Sequence, residues 1–173
     1  MRTDRMKRMF TLEVDRSRSK SQLYSDLAAS LESLLAGEKD PLANLANASA
    51  LLAQALDNIN WCGFYLLRGE DLVLGPFQGK PACVRIPLGK GVCGKAALSR
   101  QTLLVPDVTA FPDHIACDAA SRSEIVVPIL EGQTLRGVLD IDSPQLARFD
   151  EEDRKGLERF VQTVAHRVDW KEL

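Results

Sequence analysis

Residues 124–142 read EIVVPILEGQTLRGVLDID. Two apolar runs, Glu124 to Leu130 and Thr134 to Ile141, flank Glu131-Gly132-Gln133, which is the composition of a hairpin turn. The pair predicts two antiparallel strands. Upstream, Ile59 to Leu67 (INWCGFYLL) is aromatic and apolar with no helix caps and reads as another strand. Gly69-Glu70-Asp71 turns the chain, and Leu72 to Phe77 returns. Cys83 to Ile86 and Thr102 to Val105 are two shorter strands, and Gly91 to Leu98 is a short helix between them.

Helical patterns bracket this region. Residues 21–36 place Leu23, Leu27, Leu31, Leu34 and Leu35 on one face, with Gly37 where a C-terminal cap is wanted. Asp40-Pro41 is a helix start, and the helix to about Asp57 carries Leu42, Leu45, Leu52 and Leu56. Asp150 caps a final helix to about Val168, with Leu157, Phe160, Val161 and Val164 facing inward. The expected class is α+β: a central antiparallel sheet of about six strands, with the N- and C-terminal helices packed on one face and the short helix and loops on the other. Residues 1–19 read as a polar leader and 20–173 as a single domain. The exposed helix face of residues 21–57 is compatible with a homodimer.

Composition bounds the function. The 173 residues are 45% hydrophobic and 27% charged, with a formal net charge of -2, which argues against a general nucleic-acid binder. No apolar run has the length of a membrane span, and no secretory signal is visible, so the expected location is cytoplasmic. Four cysteines in such a chain suit thiol chemistry better than structural bridges.

Three cysteines attract attention. Cys93 lies in GKGVCGKAA at a helix start, where backbone N–H groups, the helix dipole, Lys90 and Lys95 are expected to lower its pKa. Cys117 lies on the long loop of residues 106–121, near His114 and Arg122, and Cys83 follows Pro81. Cys62 points to the opposite strand face from Trp61 and reads as core. A zinc site from His114, Cys117, Cys83 and Cys93 lacks any CxxC spacing, so no metal is expected. Asp140 and Asp142 alternate on one strand face near Glu124, and crowding should raise at least one carboxyl pKa. Trp61 and Tyr65 share a face and are placed to wall a small apolar pocket.

The segments ANASALL, INWCGFYLL, PLGKGVCGKAA, FPDHIACDAASRSEIVVPI and GVLDIDSP together resemble the free methionine-(R)-sulfoxide reductases, which are stand-alone GAF domains. The resemblance runs from about residue 20 to residue 168. It implies Cys117 as the nucleophile on the sulfoxide sulfur, Cys83 as the thiol that resolves the resulting sulfenic acid, and Cys93 as a further or alternative partner. It also implies no bound cofactor, with thioredoxin reducing the disulfide. Glu124, Asp140 and Asp142 then become candidates for protonating the departing oxygen and for holding the substrate ammonium. Backbone around Ile115 to Asp118, or a helix start, is expected to hold its carboxylate, and Trp61 and Tyr65 its S-methyl group. The competing expectation is a non-catalytic GAF module that binds a small ligand or senses redox state through its thiols.

Overall fold

The structure is a computed structural model that describes residues 17–115 and 118–173. The leader expected over residues 1–19 therefore falls almost wholly outside the described residues. Helix α1 (Lys20–Leu35) is capped by Ser19, whose hydroxyl accepts from the Gln22 amide. It buries Tyr24, Leu27, Leu31 and Leu35, while Leu23 and Leu34 pack at the margin. Helix α2 (Pro41–Ala55) starts on the Asp40 carboxylate, 2.8 Å from the Ala43 amide. Leu42, expected on its inner face, is 57% exposed. Leu45, Ala48 and Leu52 follow the helical period and are buried; Leu42 lies about 100° off that stripe.

Strands β1 (Trp61–Arg68) and β2 (Asp71–Gly79) form a hairpin, and β3 (Arg85–Pro87) pairs with β2. Helix α3 (Gly91–Ser99) and β4 (Leu103–Val105) follow. A single 3-10 turn at Val108–Ala110 interrupts the long loop. The opening stretch of sequence forms β5 (Ser123–Glu131) and β6 (Thr134–Ser143), turned at Gly132, whose φ is +60°. Helix α4 (Glu151–Arg167) begins with a capping box between Asp150 and Asp153, and acidic Glu151 and Glu152 sit at the positive end of its dipole.

The six strands lie in the order β3-β2-β1-β6-β5-β4, and every neighbouring pair is antiparallel. Alternation along the strands separates two cores. Cys62, Phe64, Leu66, Ile125, Val127, Leu139 and Ile141 face α1, α2 and α4. Trp61, Tyr65, Val126 and Val138 face α3 and the loops. The expected α+β architecture is the observed one. Among the described residues, no helix is long and apolar enough to cross a membrane.

The helix layer is locked by charge as well as packing. Asp153, 1% exposed, accepts from Tyr24 Oη at 2.8 Å and from Lys20 Nζ at 2.6 Å. Gly156 lets α4 approach α1, because a Cβ there would lie 2.1 Å from the Tyr24 ring. Lys20 and Tyr24 thereby join the first helix of the domain to the last.

Candidate active site

Strand register builds the site. Glu124 on β5 pairs with Asp142 on β6, and Asp142 pairs with Trp61 on β1, so three side chains form one row across the sheet. Asp140 forms the next row, opposite Val126 and Gly63. Gly63 is required there: a Cβ would meet the Phe77 Cβ at 2.3 Å, where the β1–β2 register shifts. Further along β1, Tyr65 stacks on Trp61 with ring centroids 5.8 Å apart, and Phe77 backs Trp61 at 5.3 Å.

The roof comes from α3 and two loops. Gly94 permits α3 to sit close to the preceding turn, since a Cβ would lie 2.4 Å from the Pro87 carbonyl oxygen. Gly91 has φ +59° and meets the Ile115 side chain. These two glycines explain the GKGVCGK stretch and bring Cys93 down onto the acids, its Sγ 3.9 Å from Glu124 Oε1. On the other side, Trp61 Nε1 donates to the Lys80 carbonyl at 3.1 Å and Tyr65 Oη to the Cys83 carbonyl at 3.0 Å. The two aromatic side chains thus form a wall and also pin the segment that carries Cys83.

The resulting pocket encloses about 530 Å³, its mouth included. Trp61, Tyr65, Cys93, Glu124, Asp140 and Asp142 all line it. Cys83 is disulfide-bonded and sits beside the pocket, next to lining residues Pro81 and Ala82. Cys62 and Cys93 are free thiols. Cys62 is fully buried on the helix side, as expected for a core residue. Cys117 lies outside the described residues.

Electrostatics of the pocket are governed by burial. Glu124 and Asp140 are 5% and 7% exposed. Burial, then the neighbouring carboxylates, pushes the Glu124 and Asp142 carboxyls well above the usual range. Burial also raises Asp140, to about 6, with hydrogen bonds from Cys93 and Glu124 opposing the rise. Crowding adds to the rise at Glu124 and Asp142, whereas at Asp140 burial alone raises the carboxyl.

The expected activation of Cys93 is not met. Burial, reinforced by Asp140 and Glu124, drives its thiol well above the ordinary value. Lys95, invoked as a positive neighbour, instead donates to the Pro112 carbonyl at 2.8 Å and lies 3.7 Å from Asp113.

The sequence reading passed over three residues. His114, read as an ordinary loop residue, lines the pocket with Nε2 3.7 Å from Glu124 Oε2, and burial lowers its pKa. Ser121 lines the pocket as well. Asn60 donates from Nδ2 to Asp118 Oδ2 at 3.2 Å and to Ser121 Oγ at 3.1 Å. A sequence signal existed for this turn: Asp118 heads the run Asp-Ala-Ala-Ser and accepts from the amide two residues on, Ala120, at 2.9 Å. Cys93, Glu124 and Asp140 bring ligand-type atoms within 4.8 Å of one another. Metal ligands must shed their protons, and burial makes that harder at the thiol and at Glu124. The zinc set weighed from sequence also loses Cys83, whose sulfur is in a disulfide.

A six-stranded antiparallel sheet with helices on one face and an acid-lined, aromatic-walled pocket under a short helix on the other defines a small-molecule-binding domain. The sequence pattern of the GAF domain family matches residues 40–168. The chain is 52% identical over 158 residues to the free methionine-R-sulfoxide reductase of Escherichia coli, covering 90% of this chain and 96% of that relative. It is similar to the crystal structure of a putative GAF sensor protein from Burkholderia vietnamiensis, at 57% identity and a TM-score of 0.86, covering 90% and 98% of the two chains. It also matches the free methionine-R-sulfoxide reductase of Neisseria meningitidis in complex with its substrate, at 46% identity and a TM-score of 0.88, covering 92% and 95%. The chain belongs to the GAF domain family, and within it to the free methionine-R-sulfoxide reductases.

Proposed function

We propose that this chain reduces free L-methionine-(R)-S-oxide to L-methionine, using the single GAF domain of residues 20–173. The observation that carries the reading is the set of three buried acids with raised pKa values, facing an aromatic wall, beside a cysteine already in a disulfide. The relatives from Escherichia coli and Neisseria meningitidis named above carry this activity in their names.

In this reading, the Cys117 thiol attacks the sulfoxide sulfur. The S–O bond breaks, the oxygen is transferred to Cys117 as a sulfenic acid, and methionine leaves. Glu124 or Asp142 supplies a proton to the oxygen, which a carboxyl still protonated at neutral pH is able to do. Cys83 then condenses with the sulfenic acid, forming a disulfide and releasing water. Support for that pairing is that Cys62 and Cys93 are free while Cys83 is bonded. Cys93 stands as the alternative resolving thiol. Thioredoxin returns two electrons and two protons to the disulfide, so no bound cofactor is needed.

Recognition follows from the same geometry. Asp140, whose carboxyl burial raises to about 6, is the carboxylate for the substrate ammonium, and its Oδ1 is buried without a hydrogen-bond partner. Trp61 and Tyr65 take the S-methyl end, and backbone from Ile115 to Asp118 takes the carboxylate. A peptide-bound methionine sulfoxide has neither terminal charge free and is rejected. We place the protein in the cytoplasm, where thiol reductants operate. We also place it in a homodimer through the outer faces of α1 and α2, where Leu42 is the exposed apolar residue.

The test is NADPH consumption coupled through thioredoxin and its reductase. Free R sulfoxide, free S sulfoxide and an N-acylated R sulfoxide are supplied in parallel. Turnover of the free R form alone is expected. No turnover of any form by folded, reduced protein would shift the reading to a non-catalytic GAF module that binds a ligand or senses redox state.

A further inference from the structure

The function described above leaves Asn60 without a task, yet its side chain joins the loop of the site to its sheet. It immediately precedes β1, and its backbone amide donates to the Asp142 carbonyl at 3.0 Å, which ties it to β6. Its carboxamide reaches the other way. The Asp118 carboxylate only accepts, so the amide nitrogen must face it. The two N–H groups are then spent on Asp118 Oδ2 and Ser121 Oγ.

The turn that Asn60 holds is closed from inside. The Ser121 amide donates to the Asp118 carbonyl at 3.1 Å, and the Arg122 amide to the Ser143 carbonyl at 2.7 Å. The Ser121 hydroxyl in turn hydrogen-bonds the Asp142 carboxyl, which favours its ionised form. A chain of four side chains therefore runs Asp118–Asn60–Ser121–Asp142. Its far end is a pocket acid, and its near end is the residue that follows Cys117 in sequence. The Asn60 Oδ1 is buried with no hydrogen-bond partner. A buried acceptor left unmade is unfavourable, so the donor end must be what keeps asparagine there. Lys80, 3.5 Å from Asp118 Oδ1 and 70% exposed, adds only a weak outer contact.

We propose that Asn60 is a positioning residue of the reductase, fixing the chain immediately after Cys117 relative to the Asp142 carboxyl. The inference rests on the reductase reading. Asn60 touches no reacting atom; it acts through Asp118 and Ser121. Its removal leaves the apolar wall and Asp140 in place, so substrate binding persists while the sulfur-to-thiol approach loses its register.

The experiment is single-turnover release of methionine from pre-reduced enzyme, quenched rapidly over a range of free R sulfoxide. Wild type, Asn60→Asp, Asp118→Asn and the double variant are compared. Asn60→Asp keeps the shape but has no donor and faces a like charge. We expect the maximal rate to fall ~10- to 100-fold, and the half-saturating concentration to change less than ~3-fold. In the double variant, the new amide at position 118 donates to the new carboxylate at position 60, and the rate recovers at least ~5-fold over Asn60→Asp by double-cycle logic. Ser121→Ala is the milder companion: the same loss of rate in direction, with the pH limb set by Asp142 moved upward. A thermal melt checks that each variant is folded.

Asn60→Asp turning over within twofold of wild type overturns the proposal, and so does a double variant no faster than Asn60→Asp. If Asn60→Asp fails to fold, unchanged rate and pH limb in Ser121→Ala overturn it. A wild type that releases no methionine overturns the reductase reading and this proposal with it. An active wild type beside an active Asn60→Asp overturns the proposal alone.

Discussion

Replacing Asp140 by Asn should make the protein more stable while disabling its site. Asp140 is 7% exposed, its Oδ1 has no hydrogen-bond partner, and its carboxyl loses its proton near pH 6 instead of at the ordinary 3.8. The sign follows from proton linkage. Between pH 3.8 and about 6, the folded chain holds a proton that the unfolded chain has released, so stability falls as pH rises through that window. Below 3.8 the penalty is absent; above about 6 it is complete. Two pH units at roughly 1.4 kcal/mol each give about 3 kcal/mol at neutral pH, an order-of-magnitude figure. Glu124 and Asp142 add penalties of the same sign, and the Asp140 charge is itself a cause of their raised values. Asp140→Asn therefore removes its own penalty and eases theirs. Urea unfolding of both proteins at intervals from pH 4 to pH 8 measures this. Wild type should weaken across the window, and the variant should weaken less and be more stable at pH 8 by about 2–4 kcal/mol. A variant less stable than wild type at pH 8, or with the same pH slope, would refute the claim that this carboxylate is held ionised against its surroundings.

Three other outcomes follow from the same geometry. Glu124→Gln should slow the first release of methionine by about 10²- to 10⁴-fold in a rapid-quench assay if Glu124 is the proton donor, with little change in half-saturation. Cys83→Ser should release its first methionine at the wild-type rate and then stop, whereas Cys117→Ser should release none; equal single-turnover yields from the two would contradict the assignment. Gly156→Ala should lower the thermal midpoint, because its Cβ would lie 2.1 Å from a Tyr24 ring anchored to Asp153. A loss of about 1–3 kcal/mol from overpacking outweighs the roughly 1 kcal/mol that alanine gains over glycine in a helix.

The sequence was most legible where local physics decides structure. Asp40-Pro41, Asp150 and the turn at Gly132 each mark an element boundary within a residue or two of the observed one. Legibility dropped where a contact distant in sequence decides. The strand expected at Cys83 begins at Arg85, and the Cys83 carbonyl is taken by the Tyr65 hydroxyl instead of by the ladder. The acids were visible as a cluster, but that Glu124 stands directly across from Asp142, in line with Trp61, depends on register over three strands. Asn60 and His114 carried no local pattern at all. Each matters because its partner lies far along the chain, Asp118 58 residues from Asn60 and Glu124 10 from His114, and neither spacing follows a helical or strand period.

Cys93 shows how magnitudes separate two readings of one motif. A thiol at the start of a nine-residue helix between two lysines looks activated. The dipole contributes about 0.3–1 kcal/mol at an exposed helix end, and the lysine ammonium groups act mostly through solvent. Opposing that are burial to 4% exposure and two carboxyl neighbours, Asp140 and Glu124, which raise the thiol far more than the helix lowers it. The same glycines that start the helix, Gly91 and Gly94, allow the close approach that buries the sulfur. So the motif that seemed to promise a reactive thiolate yields a protonated thiol. That thiol donates a hydrogen bond to Glu124 and is unsuited to open an attack on a sulfoxide at neutral pH. In the proposed reaction the attack then falls to Cys117, the residue to which the family resemblance assigns it.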